Sequence, residues 1–117
     1  MKIIYRPDES GEKIPFEING NKVTFDDELT LNLSRYERDD PAHIDVCRDK
    51  FGNLVTGVIP GVAESYVAQL DIPAREYVEV PDPDYTPASE DDGEEHTKPE
   101  PVPFNLDKCT MTLFTLV

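Results

Sequence analysis

Tryptophan is absent from this 117-residue chain, which has only two cysteines, two histidines and 11 lysine or arginine residues. Each scarcity removes a class of function. Against 25 acidic residues the few basic ones leave a net charge of −14, so no surface here is built to neutralise phosphates or anionic headgroups. Direct nucleic-acid binding and membrane-surface binding are set aside. The histidines and cysteines form no Cys-x-x-Cys or His-x-x-x-His pair, too few ligands for zinc. His43 and Cys47 are four apart, but in a strand-like run that spacing separates them by about 13 Å. Cys47 and Cys109 read as reduced, small core hydrophobes rather than as a disulfide. There is no Asp-x-Asp-x-Asp-Gly loop for calcium, no Gly-x-Ser-x-Gly turn for a nucleophile and no glycine-rich phosphate loop. The expectation is a protein that is not an enzyme and takes no metal or cofactor. Long apolar runs are missing too: nothing approaches the ~20 residues of a membrane span, and MKIIYRPDE lacks the apolar stretch of a secretory signal. A cytosolic, reducing setting is expected.

What is present points to strands. Eleven prolines against six glycines favour extended and turn segments over long helices. In KIPFEINGNKVTF (13–25), Ile14, Phe16 and Ile18 alternate with polar neighbours up to Asn19-Gly20, and Val23 and Phe25 continue beyond, which predicts a hairpin. ELTLNLSRYE (28–37) sets Leu29, Leu31 and Leu33 on one face of a half-buried strand. HIDVCRDKFGNLVTGVI (43–59) reads as two strands around a turn from Asp49 to Asn53. PGVAESYVAQLDIP fits helix or strand spacing, and its flanking prolines favour the strand. REYVEV (75–80) alternates once more. The acidic groups Asp26-Asp27-Glu28 and Glu37-Arg38-Asp39-Asp40 lie between strands, where Asp supports turns, and are read as turn residues before cation ligands. Short strands with frequent turn signals predict an all-β, mainly antiparallel domain, a small sandwich or open barrel.

The acidity is concentrated. Residues 81–100 hold Asp82, Asp84, Glu90, Asp91, Asp92, Glu94, Glu95 and Glu100 against Lys98 alone, half of the net charge of −14. Residues 81–103 also contain six prolines, which predicts a disordered acidic loop between a β domain over 1–80 and a C-terminal strand in 104–117. That last segment, with Met111, Leu113, Phe114, Leu116 and Val117, is too apolar to remain in water. Return to its own sheet is favoured, since loop-closure entropy grows slowly with length; addition to a neighbour's sheet is the alternative.

LDIPAREYVEV, the acidic proline-rich insert and PVPFNLDKCTMTLFTLV resemble small uncharacterised proteins of bacteriophage and prophage genomes. The resemblance implies a structural or accessory phage product, in the host cytosol or on the virion, and assigns no functional residue. The reading of the residues is a non-enzymatic module that binds a protein partner or a second copy of itself through sheet edges and the C-terminal strand. Leu113, Phe114, Leu116 and Val117 are the expected contact residues. The alternative is an acidic nucleic-acid mimic that blocks the basic cleft of a DNA- or RNA-handling protein.

Overall fold

The computed structural model describes residues 1–57, 63–82 and 97–116. Among them ten strands follow in chain order: β1 Lys2–Arg6, β2 Phe16–Asn19, β3 Lys22–Phe25, β4 Leu29–Asn32, β5 Ala42–Asp49, β6 Leu54–Thr56, β7 Ala63–Ile72, β8 Tyr77–Pro81, β9 Thr97–Pro101 and β10 Thr110–Phe114. They make a five-stranded sheet in the order β1-β10-β7-β5-β6, a three-stranded sheet β2-β3-β4 and a two-stranded ribbon β8-β9. Pairing is antiparallel except between β1 and β10, which run parallel. The fold is all-β with open sheets, as the alternating patterns predict.

The two larger sheets share one core. Val23, Phe25, Leu31 and Leu33 face it from the three-stranded sheet, and Ile44, Val46, Ala68, Leu70, Met111 and Leu113 from the five-stranded sheet. Within the strands these are the i, i+2 positions, and Leu33 extends the row from the turn after β4, so period-2 patterning decides which face is buried. Full burial of one such side chain contributes about 1.5–3 kcal/mol. Cys47 and Cys109 are both buried and unbonded, and burial pushes both thiols above the ordinary range.

Turn chemistry accounts for the connections. The β2–β3 loop consists of Gly20 and Asn21, with Asn19 paired to Lys22, so the turn lies one residue later than Asn19-Gly20. Gly20 takes φ +62°, the positive value that a primed hairpin turn requires at its first central position. Between β3 and β4 the two central residues, Asp26 and Asp27, are both left-handed at φ +51° and +52°, and the Glu28 N–H donates to the Phe25 carbonyl at 2.9 Å. β4 stops at Asn32 instead of running on to residue 37. There the Asn32 side chain accepts from the Ser34 N–H at 3.2 Å and caps a 3-10 turn over Leu33–Arg35. The turn buries Leu33 all the same. In the β5–β6 hairpin, Asp49 Oδ1 accepts the N–H groups of Phe51 and Asn53, each at 2.9 Å.

Two strands depart from the sequence pattern. β1 has only Ile3, Ile4 and Tyr5 between charged ends, too short a run to signal a strand, yet it adds in parallel to β10. The six prolines suggest a segment without a ladder over residues 81–103, whereas Thr97–Pro101 is paired with Tyr77–Pro81. Residues 83–96, which carry most of the acidic run, lie outside the described residues. β10 lies between β1 and β7, so the C-terminal strand returns to its own chain's sheet.

Candidate functional site

An interaction through sheet edges needs a strand whose outward N–H and C=O groups are open. The expected C-terminal strand does not offer one, because both edges of β10 are used within the chain. Leu113 is 1% exposed in the core, Phe114 is half-buried with its ring 6.0 Å from that of Tyr66, and Leu116 packs partly buried against the core. Val117 lies outside the described residues. Of the outer strands of the large sheet, β6 has three residues, and β1 bears Lys2 and Arg6 and runs into Pro7; short length, charge and proline all blunt an edge.

The β8–β9 ribbon is different. Every residue of β9 is exposed, as is every residue of β8 except half-buried Val80, so the ribbon stands off the sandwich as an arm. Its root is fixed to the body. The Arg75 N–H donates to the Arg38 carbonyl at 2.8 Å, and the Arg75 guanidinium donates to the Glu37 carbonyl at 3.0 Å and pairs with the Glu37 and Asp39 carboxylates, each at 3.5 Å. The Tyr77 hydroxyl donates to Asp39, and Lys108 pairs with Glu76 at 2.6 Å.

Hydrogen-bond parity then sets the chemistry of the arm's two edges. At the root the Val102 N–H donates to the Glu76 carbonyl at 2.8 Å. In an antiparallel ladder, pairs that exchange hydrogen bonds alternate with pairs that do not. Val78 with Glu100 and Val80 with Lys98 are therefore the bonded pairs, and Tyr77 with Pro101, Glu79 with Pro99 and Pro81 with Thr97 are the non-bonded ones. Pro99 and Pro101 thus stand where an N–H would point away from β8, and the ladder loses no donor to them. The outer edge of β9 consequently has no donor at either position. The outer edge of β8 keeps its groups: the N–H and C=O of Tyr77 and of Glu79 point outward, without a backbone partner among the described residues. The β8 edge thus offers two outward donors, at Tyr77 and Glu79 but not at Pro81, and the β9 edge one, at Thr97.

Side chains sort by the same alternation. Tyr77, Glu79, Pro99 and Pro101 share one face, where the Thr97 hydroxyl donates to Glu79 at 2.9 Å. Val78, Val80, Lys98 and Glu100 share the other. Tyr77 is 45% and Val78 49% exposed, both beside the open edge.

A second cluster lies on the outward face of the five-stranded sheet. His43 sits opposite Asp71, its Nδ1 2.6 Å from Asp71 Oδ1 and its Nε2 2.7 Å from Asp45 Oδ1. Asp45 also accepts from the Gln69 amide at 3.0 Å. Asp71 first, then Asp45, raises the histidine above its ordinary pKa. With both ring nitrogens facing carboxylates, His43 links β5 to β7 through Asp71. Cys47, the residue that sequence spacing sets beside it, is buried. Among the described residues no group of three or more His, Cys, Asp or Glu side chains is arranged to hold a metal ion. Nor, among those residues, is any helix long and apolar enough to cross a membrane.

Fold and surface together define a class: an all-β domain whose described residues include a projecting ribbon with its outward donors mainly along the β8 edge. Comparison with known proteins goes no further, since no family model, no curated protein and no solved structure matches the chain.

Proposed function

We propose that the protein is a non-enzymatic protein-binding module that engages its partner through the β8–β9 arm. It would serve as a structural or accessory component of the phage type implied by the resemblance of its C-terminal third, in the host cytosol or on a virion. One observation carries this reading. The chain extends a ribbon away from its core, leaves Tyr77 and Val78 exposed on it, and sets Pro99 and Pro101 along one edge while the other keeps the outward donors of Tyr77 and Glu79. Strand addition at such an edge draws affinity from main-chain hydrogen bonds and specificity from alternate side chains.

The acidic-inhibitor reading has less support from the described residues. Asp26 and Glu28 pair with Arg48, Glu37 and Asp39 with Arg75, Asp45 and Asp71 with His43, and Glu76 with Lys108. Carboxylates already joined to the chain's own cations are poor substitutes for a phosphate backbone.

The test exploits the root of the arm. Glu76 and Val102 are bonded neighbours, so residues 77–101 can be replaced by a two-residue Asn-Gly turn that leaves the sandwich intact. The expected outcome is a variant that unfolds like the parent and no longer retains proteins captured by the intact chain from host lysate. Unchanged capture would remove the arm from the function.

A further inference from the structure

The arm is too small a sheet to stand alone. A two-stranded hairpin in water is marginally stable at best, and three or more strands, or a packed face, are needed for independent stability. Neither face of β8–β9 packs on the core, as the exposure of nearly every arm residue shows. A third strand fits the β8 edge better, where Tyr77 and Glu79 both present an outward N–H, than the β9 edge, where Pro99 and Pro101 present none.

We propose that this strand is β8 of a second copy of the chain, added antiparallel about a twofold axis through Val78 to give a four-stranded sheet in the order β9-β8-β8-β9. The inference rests on the arm being the contact surface and adds the identity of one partner. Register follows from parity and charge. The outward groups belong to Tyr77 and Glu79, so the bonded pairs must join residues of that parity. Pairing Tyr77 with Glu79 of the second copy, and Glu79 with its Tyr77, exchanges four backbone hydrogen bonds. It sets Val78 against Val78 in the non-bonded position at the axis, where side chains come closest. A shift by two residues toward Pro81 would set Glu79 directly against Glu79, and like charges directly opposed are destabilising. In the favoured register the pair at the centre is apolar and each glutamate faces a tyrosine.

Closure follows as well. Both outer edges of the four-stranded sheet are β9, where Pro99 and Pro101 leave Thr97 as the one outward donor, so addition of a third copy is disfavoured and the assembly is expected to stop at two. It is isologous, the same patch serving on both subunits. The interface is small and falls in the weak class. Each subunit carries −14, so added salt should strengthen the association by screening.

Sedimentation of the full chain across concentration, at low and at about 0.5 M salt, tests this. A monomer–dimer equilibrium that shifts toward dimer with salt is expected. Glu79→Pro removes an outward donor while sparing the bonded pairs of the ribbon, and should abolish the dimer. Pro99→Ala with Pro101→Ala restores outward donors on β9 and should yield species larger than dimer. In a Val78→Cys variant treated with oxidised glutathione, a disulfide-linked dimer should form faster than in Val80→Cys, since only residue 78 meets itself across the axis. The native thiols are buried and do not compete. A wild-type chain monomeric at about 1 mM in high salt, larger oligomers of the wild-type chain, or equal cross-linking at 78 and 80 would each overturn the proposal. Should self-association fail while replacement of 77–101 still abolishes capture of a host protein, the binding function stands and the second copy is excluded.

Discussion

β7 and β8 show what protects a strand in each part of this molecule. β7 has ten residues, is paired on both sides by β5 and β10, and buries Val67, Ala68, Leu70 and Ile72. β8 has five, is paired on one side only, and buries none of its side chains fully. Apolar burial holds the first; backbone hydrogen bonds and a polar root hold the second. The sandwich therefore tolerates changes at its surface and fails when its core is cut. The arm has little core to lose and is sensitive instead to which backbone donors it keeps.

The largest effect on that contrast is expected in the body. Phe25 is fully buried between the sheets, and Phe25→Ala should lower unfolding free energy by about 3–5 kcal/mol in denaturant titrations. A loss below about 1 kcal/mol would mean that the sheets are not packed as described. In the arm, two adjacent proline substitutions should behave differently. Val78→Pro deletes a donor directed at β9 and should release the ribbon, whereas Glu79→Pro should leave it paired, as read from the amide signals of Lys98 and Glu100. Neither should shift global unfolding as far as Phe25→Ala does. Equal damage from both would show that parity does not govern the arm.

A smaller gain is expected at the β3–β4 turn. Asp27 is exposed at φ +52°, and left-handed backbone costs a non-glycine residue about 1–2 kcal/mol. Asp27→Gly should therefore raise stability by roughly 1 kcal/mol, and a loss would assign the Asp27 side chain a role of its own. The smallest effect is electrostatic. The His43 pKa is raised in the fold, so its contribution to stability is complete below the unfolded value of about 6.5 and fades as pH rises through the higher folded value. Half-exposed as the ring is, the effect on stability is slight, but its titration by NMR should lie above the unfolded value. Asp71→Asn should bring it down further than Asp45→Asn, because the Asp71 hydrogen bond is the larger cause.

Much of the sandwich is legible in the sequence: Leu29 and Leu31 of β4 and the β2–β3 hairpin from period-2 patterning, the Asp49–Asn53 turn from its turn residues, and the return of β10 to its own sheet from the slow growth of loop-closure entropy. What escaped had physical reasons. β1 is short and charged at both ends, and nothing local shows that a parallel partner lies at the far end of the chain. The β2–β3 turn was displaced by one residue because Gly20 serves as the first central residue and not the second. β9 escapes patterning because proline reads as a strand breaker wherever it falls, and only the spacing of Pro99 and Pro101 makes them compatible with a ladder. At i and i+2 both fall on one edge, and in a ribbon with only one partner that edge needs no donors. The candidate contact moved accordingly, from Leu113 and its neighbours, which patterning marks as apolar without saying that both edges of β10 are taken, to Tyr77, Val78 and Glu79.

Residue-resolved amide exchange along the arm, at concentrations where the chain is monomeric, addresses the alternation of donors most directly. Val78, Val80, Lys98 and Glu100 should exchange slowly and Tyr77 and Glu79 fast. Uniform exchange across Tyr77–Val80, or protection of Tyr77 and Glu79 in the monomer, would contradict the account.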